Sequence, residues 1–251
     1  MNAPESSPSG MTGNLSRPWV PWTWLDAVGA FALTQLATVA FTLAVFSAAP
    51  GASDEALLAL SHVVFAATVL SWVAIRYRAD LLRLFGPRRP HARAALVGAG
   101  VGLLVYLVVN LGFGAVLEFA VRAGGQEVPV LQETFREAAT DPVRAPLFIL
   151  SAVLLAPVAE ELFFRGLLFQ ALRVRLGATG GILISGLVFG AVHVSAASAL
   201  ANGLVVAVTT LLGVGFAWAF HRYGSLLVPV LAHMTVNLIS TVLIVSGMVE
   251  G

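Results

Sequence analysis

Ala159-Glu160-Glu161-Leu162-Phe163-Phe164-Arg165-Gly166 sets two adjacent carboxylates and an arginine inside a run that is otherwise hydrophobic from Leu147 to Leu172. A run of that length reads as a membrane-spanning helix. Ionisable groups at such depth are costly unless they pair or line a wet cavity, so by default they mark a functional site. At about 100° of rotation per residue, Arg165 falls about 40° from Glu161 but about 140° from Glu160. Glu161 and Arg165 are therefore expected to pair at i, i+4, leaving Glu160 to face something else.

Outward from this stretch, the whole chain has the same character. Its 251 residues are 58% hydrophobic and 11% charged, with a mean hydropathy of +0.90, against roughly 25% charged in a soluble domain. The expected fold is an all-α, polytopic transmembrane bundle of about seven spans, with six to eight possible. Residues 1–22 are rich in Pro, Ser and Gly and read as a disordered tail. Residues 23–146 hold helices 1 to 3 with their loops, and residues 147–246 hold helices 4 to 7. Trp19, Trp22 and Trp24 suit an interface belt.

The spans are read at about Trp24 to Phe46, Ala56 to Ile75, Ala94 to Val121, Leu147 to Leu172, Ile182 to Ala197, Gly203 to Phe220 and Leu226 to Val245. Val130 to Ala139 reads as a short amphipathic helix on the outer surface. All 14 basic residues are Arg. With the N-terminus inside, ten fall on the cytoplasmic side and three outside, which favours a cytoplasmic N-terminus. The arginines form no stripe, so nucleic acid is not an expected partner. The absence of Cys excludes a disulfide, a thiolate nucleophile and a Cys-ligated metal.

Two further polar pairs stand at i, i+4: Phe189 with His193, and His233 with Asn237. Gly186 and Gly190 share the face of His193, where they admit a neighbouring backbone. Counted from the cytoplasmic helix ends, Glu160, His193 and His233 reach comparable depth, so helices 4, 5 and 7 are expected to surround one polar cavity. Elsewhere the plainer readings hold. His62 reads as a lone intramembrane histidine bonded to a neighbouring helix, Asn110 and Gln35 as interhelical contacts, and His91 and His221 as interfacial.

In these residues the chain resembles the CAAX prenyl protease type II and bacteriocin-processing (CPBP, or Abi) family of intramembrane endopeptidases. Glu160, Glu161 and Arg165 match its Glu-Glu-x-x-x-Arg motif, Phe189 and His193 its Phe-x-x-x-His motif, and His233 and Asn237 its His-x-x-x-Asn motif. The resemblance covers roughly Leu147 to Val245 and leaves helices 1 to 3 unmatched. It implies that Glu160 activates a water with help from His193, and that His233 and Asn237 stabilise the oxyanion, with no cofactor. Glu161, Arg165 and Phe189 would support that site. The implied partner is a membrane-associated protein or peptide substrate in the lipid bilayer, with the protein a multi-pass component of the bacterial inner (plasma) membrane. Two alternatives stay open. One is a zinc protease with Glu160, His193 and His233 as ligands and Glu161 as base. The other is a non-catalytic bacteriocin-immunity or scaffold protein.

Overall fold

The structure, a computed structural model, describes residues 20–87, 92–127, 133–194 and 198–248. Among them every regular element is helical: α1 (Trp24–Ala48), α2 (Asp54–Arg76), α3 (Arg93–Ala123) and the short α4 (Glu133–Thr140) precede the stretch that carries the carboxylates. That stretch is one helical run of 47 residues, Ala145–Ala191. Straight, it would reach about 70 Å, more than twice the roughly 30 Å of a hydrocarbon core. It is broken at Gly177, whose φ of 72° and ψ of 178° belong to no helix and suit a residue without Cβ. The break divides it into α5 (residues 145–176) and α6 (residues 178–191). Then α7 (Ala199–Tyr223) and α8 (Leu227–Val245) complete the chain.

Among the described residues, six helices are long and apolar enough to cross a membrane, counting Ala145–Ala191 once. The expected seven counted α5 and α6 separately, so the difference lies in that one joint. α1 turns Leu25, Leu36 and Leu43 outward at 60%, 69% and 62% exposure, a surface suited to lipid rather than water. The protein is an all-α integral membrane bundle. The tail expected at residues 1–22 lies outside the described residues up to Trp19. Trp22, expected in an interface belt, does not face lipid. It is buried in the core, and its indole Nε1 donates to the Leu167 carbonyl at 3.2 Å.

Within a bilayer, moving an apolar side chain from lipid into protein gains little, so helices are held by close packing and hydrogen bonds. Both appear where the sequence places small residues. Gly186 and Gly190 of α6 lie against Val206, Thr210 and Val214 of α7. Gly98 and Gly102 of α3 lie against Leu231, Ala232 and Thr235 of α8, where a Cβ on Gly102 would stand 2.7 Å from that of Thr235. Asp26, buried near the start of α1, accepts from Trp72 Nε1, Arg76 Nε and Tyr77 Oη and so ties α1 to the end of α2.

α5 runs through the middle of the bundle. Every residue from Leu162 to Phe169 is buried, which accounts for its apolar character on all sides. Residues 151–155 and 162–169 are π-helical, with the α-helical turns Ala156–Glu161 between them. Such insertions leave carbonyls unmatched along the helix, and side chains from other elements meet several of them. Ser185 Oγ donates to the Phe164 carbonyl at 3.2 Å, and Trp22 reaches that of Leu167. Gln170 Nε2 links the Gly166 carbonyl to Arg83 in the 3-10 helix Arg78–Phe85, at 2.8 Å each.

Candidate active site

The two adjacent carboxylates face different surroundings, as their 100° separation requires. Glu161 is fully buried. Its Oε1 accepts from Arg165 Nη1 at 2.8 Å, the expected i, i+4 pair, and lies 3.0 Å from His233 Nδ1 on α8. Arg165 is also fully buried and sends Nη2 to the Gly213 carbonyl of α7 at 2.8 Å. Its guanidinium is walled by three aromatic rings, with Phe164, Phe189 and Phe216 centroids 5.7, 4.7 and 5.4 Å away. Ring faces and a carboxylate together replace the water this cation has lost. The cluster joins α5, α7 and α8 at one buried point.

Glu160 is half-buried and lines a polar cavity of about 300 Å³ with His193, Phe164, Val192 and the α1 and α2 residues Phe31, Thr34, Gln35, Thr38, Ser61, His62 and Phe65. Its Oε2 has no hydrogen-bond partner among the described residues. His193 lies beyond the end of α6, in a closing turn where its amide donates to the Gly190 carbonyl at 3.0 Å. Helix 5 was expected to continue to Ala197; it ends at Ala191, and residues 195–197 are outside the described set. His193 Nδ1 donates to the Phe189 carbonyl at 2.6 Å. A carbonyl can only accept, so in the neutral ring Nε2 carries the lone pair. The cavity thus brings together a carboxylate with an unpartnered oxygen and an imidazole poised to accept.

The expectation of one cavity shared by all four polar residues is met only in part. Neither His233 nor Asn237 lines the Glu160 cavity. Phe189 packs against both histidines, its ring centroid 4.7 Å from that of His193 and 5.7 Å from that of His233, and His233 stacks on Phe216 at 4.8 Å. Asn237 Nδ2 donates to the Ala152 carbonyl at 2.8 Å. The position of that carbonyl has a simple cause. Ala156 N–H reaches back five residues to Ser151, so the next amide in the same register would serve Ala152. The next residue is Pro157, which has no N–H. Asn237 supplies the missing donor across the helix interface.

His62, read from sequence as a bonded bystander, is indeed bonded, its Nδ1 3.1 Å from Ser151 Oγ, but it also lines the cavity with Glu160. The signal that would have found it is the rule that intramembrane ionisable groups are functional until shown otherwise. Among the described residues, no three His, Cys, Asp or Glu side chains are grouped so as to hold a metal ion. The Glu160, His193 and His233 set of the zinc alternative is therefore not assembled as a ligand shell.

Compared with known proteins, residues 142–239 match the family model for type II CAAX prenyl endopeptidase Rce1-like proteins. That segment is similar to the Rce1-like family. It contains all three motifs and every site residue expected from them. The chain is similar to a Bacillus subtilis (strain 168) protein named "Putative membrane peptidase YdiL", with 30% identity over 127 residues, 50% of this chain and 47% of that protein. It is also similar to an uncharacterized 24.3 kDa protein of Escherichia coli, with 40% identity over 90 residues, 35% of this chain and 40% of the other. The matches span less than half the length of each relative. No solved structure matches the chain. α1 and α2, which supply the far wall of the cavity, lie outside the Rce1-like segment.

Proposed function

We propose that the protein is an intramembrane endopeptidase that hydrolyses a peptide bond in a membrane-associated protein or peptide. The observation that carries this reading is the division of labour between the two carboxylates. Each carboxylate keeps an unpartnered Oε2, but Glu161 is engaged through Oε1 by Arg165 and His233, while Glu160 shares a polar cavity with His193. Peptide hydrolysis needs a base for the attacking water and donors for the oxyanion that forms on the carbonyl. Glu160 takes the water's proton, and His193 Nε2 accepts from the same water and orients it. Removal from bulk solvent strengthens each of these interactions.

His233 and Asn237 are the oxyanion donors of this reading. The bond to Ala152 uses one of the two carboxamide hydrogens of Asn237, leaving the second. His233 donates Nδ1–H to Glu161, so it serves an oxyanion through Nε2 only as the imidazolium, the form in which both ring nitrogens carry hydrogens. The bacterial inner membrane fits the ten-to-three distribution of arginines as the place of action. Glu160→Gln tests the base directly, because it keeps shape and removes proton acceptance. Turnover on a membrane-peptide library should fall about 10²-fold or more with folding intact. Unchanged cleavage would overturn the reading. Membrane proteomes compared with and without Glu160→Gln would then identify the natural substrate by its accumulation.

A further inference from the structure

We infer that His62 is a third catalytic residue of this cavity, the acid that delivers a proton to the leaving amine nitrogen. The inference rests on the hydrolytic reading above and adds a residue from α2, outside the Rce1-like segment. Three observations meet at His62. It lines the same cavity as Glu160 and His193. It is half-buried in a membrane-spanning helix, where an imidazole without a task is costly. Its Nδ1 is fixed, 3.1 Å from Ser151 Oγ, and Ser151 is itself fully buried in the π-helical turns that precede Glu160.

A ring anchored through one nitrogen has its other nitrogen set in direction, and a defined direction is what a proton donor requires. The titratable groups sharing the cavity are Glu160 from α5 and His193 from the turn after α6. The polar residues of the α1 wall, Thr34, Gln35 and Thr38, are uncharged. His193 Nδ1 is bonded to a carbonyl, which makes its Nε2 an acceptor. Glu160 starts as the base. His62 is the remaining titratable group, and the leaving nitrogen needs a proton before the bond to carbon can break.

The step balances as follows. Water oxygen bonds to the carbonyl carbon as its proton passes to Glu160, giving the tetrahedral oxyanion. The C–N bond then breaks, the oxyanion electrons re-form the carbonyl, and the nitrogen takes its proton from His62 Nε2. The products are a carboxylic acid and an amine. The proton on Glu160 returns to His62 through water in the cavity, and both groups regain their starting states.

The test uses the full chain in liposomes and a peptide that the wild type cleaves in a transmembrane-peptide library, together with the same peptide carrying an ester at the scissile bond. An alkoxide leaves with far less need of a proton than an amine does. His62→Gln should retain the wild-type melting temperature and lose about 10²-fold in turnover on the amide. On the ester the loss should shrink to a few-fold, whereas Glu160→Gln should stay impaired on both. Ser151→Ala, which frees the ring, should show the His62→Gln pattern in weaker form. Equal losses of His62→Gln on amide and ester, or none on either, would overturn the assignment while leaving Glu160 in place. No wild-type cleavage of any library peptide would instead overturn the hydrolytic reading itself, and His62 with it.

Discussion

Asn237 donates from Nδ2 to the Ala152 carbonyl at 2.8 Å, the acceptor that Pro157 leaves unserved in α5. A side chain on α8 thus completes the backbone of the helix that bears Glu160 three residues further on. An orphaned carbonyl at membrane depth costs several kcal/mol, so the bond fixes α8 against the turns that present the carboxylates. The coupling can be measured. Asn237→Ala alone should destabilise the protein by about 1–3 kcal/mol. In a Pro157→Ala background, where an amide is restored at position 157, the same change should cost clearly less. Identical costs in both backgrounds, read by denaturation in detergent, would show that the two residues are not linked.

Arg165 is the buried charge on which α5, α7 and α8 converge. Arg165→Leu leaves Glu161 with only His233 and removes the bond to Gly213. Breaking a buried pair from one side typically costs about 3–5 kcal/mol. The variant should therefore accumulate poorly and melt earlier, and Arg165→Lys should recover only part of the loss, since an ammonium lacks the second arm of the fork. Wild-type stability in Arg165→Leu would remove the pair from the account of the fold.

Much of this site was legible in order, because helix periodicity is local. The i, i+4 spacing of Glu161 and Arg165 specifies their contact, and the Gly186 and Gly190 face does lie against a neighbouring helix. What sequence could not show depends on how helices meet. The π-helical turns on either side of Glu160 shift side-chain directions from those of a regular helix. That is one reason a count of residues along each helix did not place His233 and Asn237 correctly relative to the Glu160 cavity. Trp22 was misread for a related cause: its composition and position suit an interface, but the Leu167 carbonyl gives its indole a buried partner. The joint at Gly177 needed a backbone angle, which no spacing encodes.

Orientation follows from charge. Six arginines fall from Arg76 at the end of α2 to Arg93 at the start of α3, and a cytoplasmic N-terminus would put only Arg122, Arg136 and Arg144 outside. With a cytoplasmic N-terminus, a reporter fused after Arg89 should read cytoplasmic and one fused after Glu133 external. Opposite signals at either point would invert the bundle and put the cavity's depth on the other side of the membrane.

Metal dependence separates the two hydrolytic chemistries, and side-chain placement gives the expectation. A tetrahedral zinc holds its nitrogen and oxygen ligands at about 2.0–2.2 Å, which brings them within about 3.5 Å of each other. Here Glu160 and His193 line one cavity, whereas His233 lies outside it, bonded through Nδ1 to Glu161. Assembly of Glu160, His193 and His233 around one ion would require His233 to reach into the cavity that Glu160 and His193 share. Purified protein should therefore keep its turnover after exhaustive chelation and bind no stoichiometric metal. Phe189→Ala should impair the enzyme by loosening His193 and Arg165, without creating a response to zinc. Loss of activity on chelation with recovery on adding zinc would replace the Glu160 base with a metal-bound hydroxide and make Glu160, His193 and His233 its ligands.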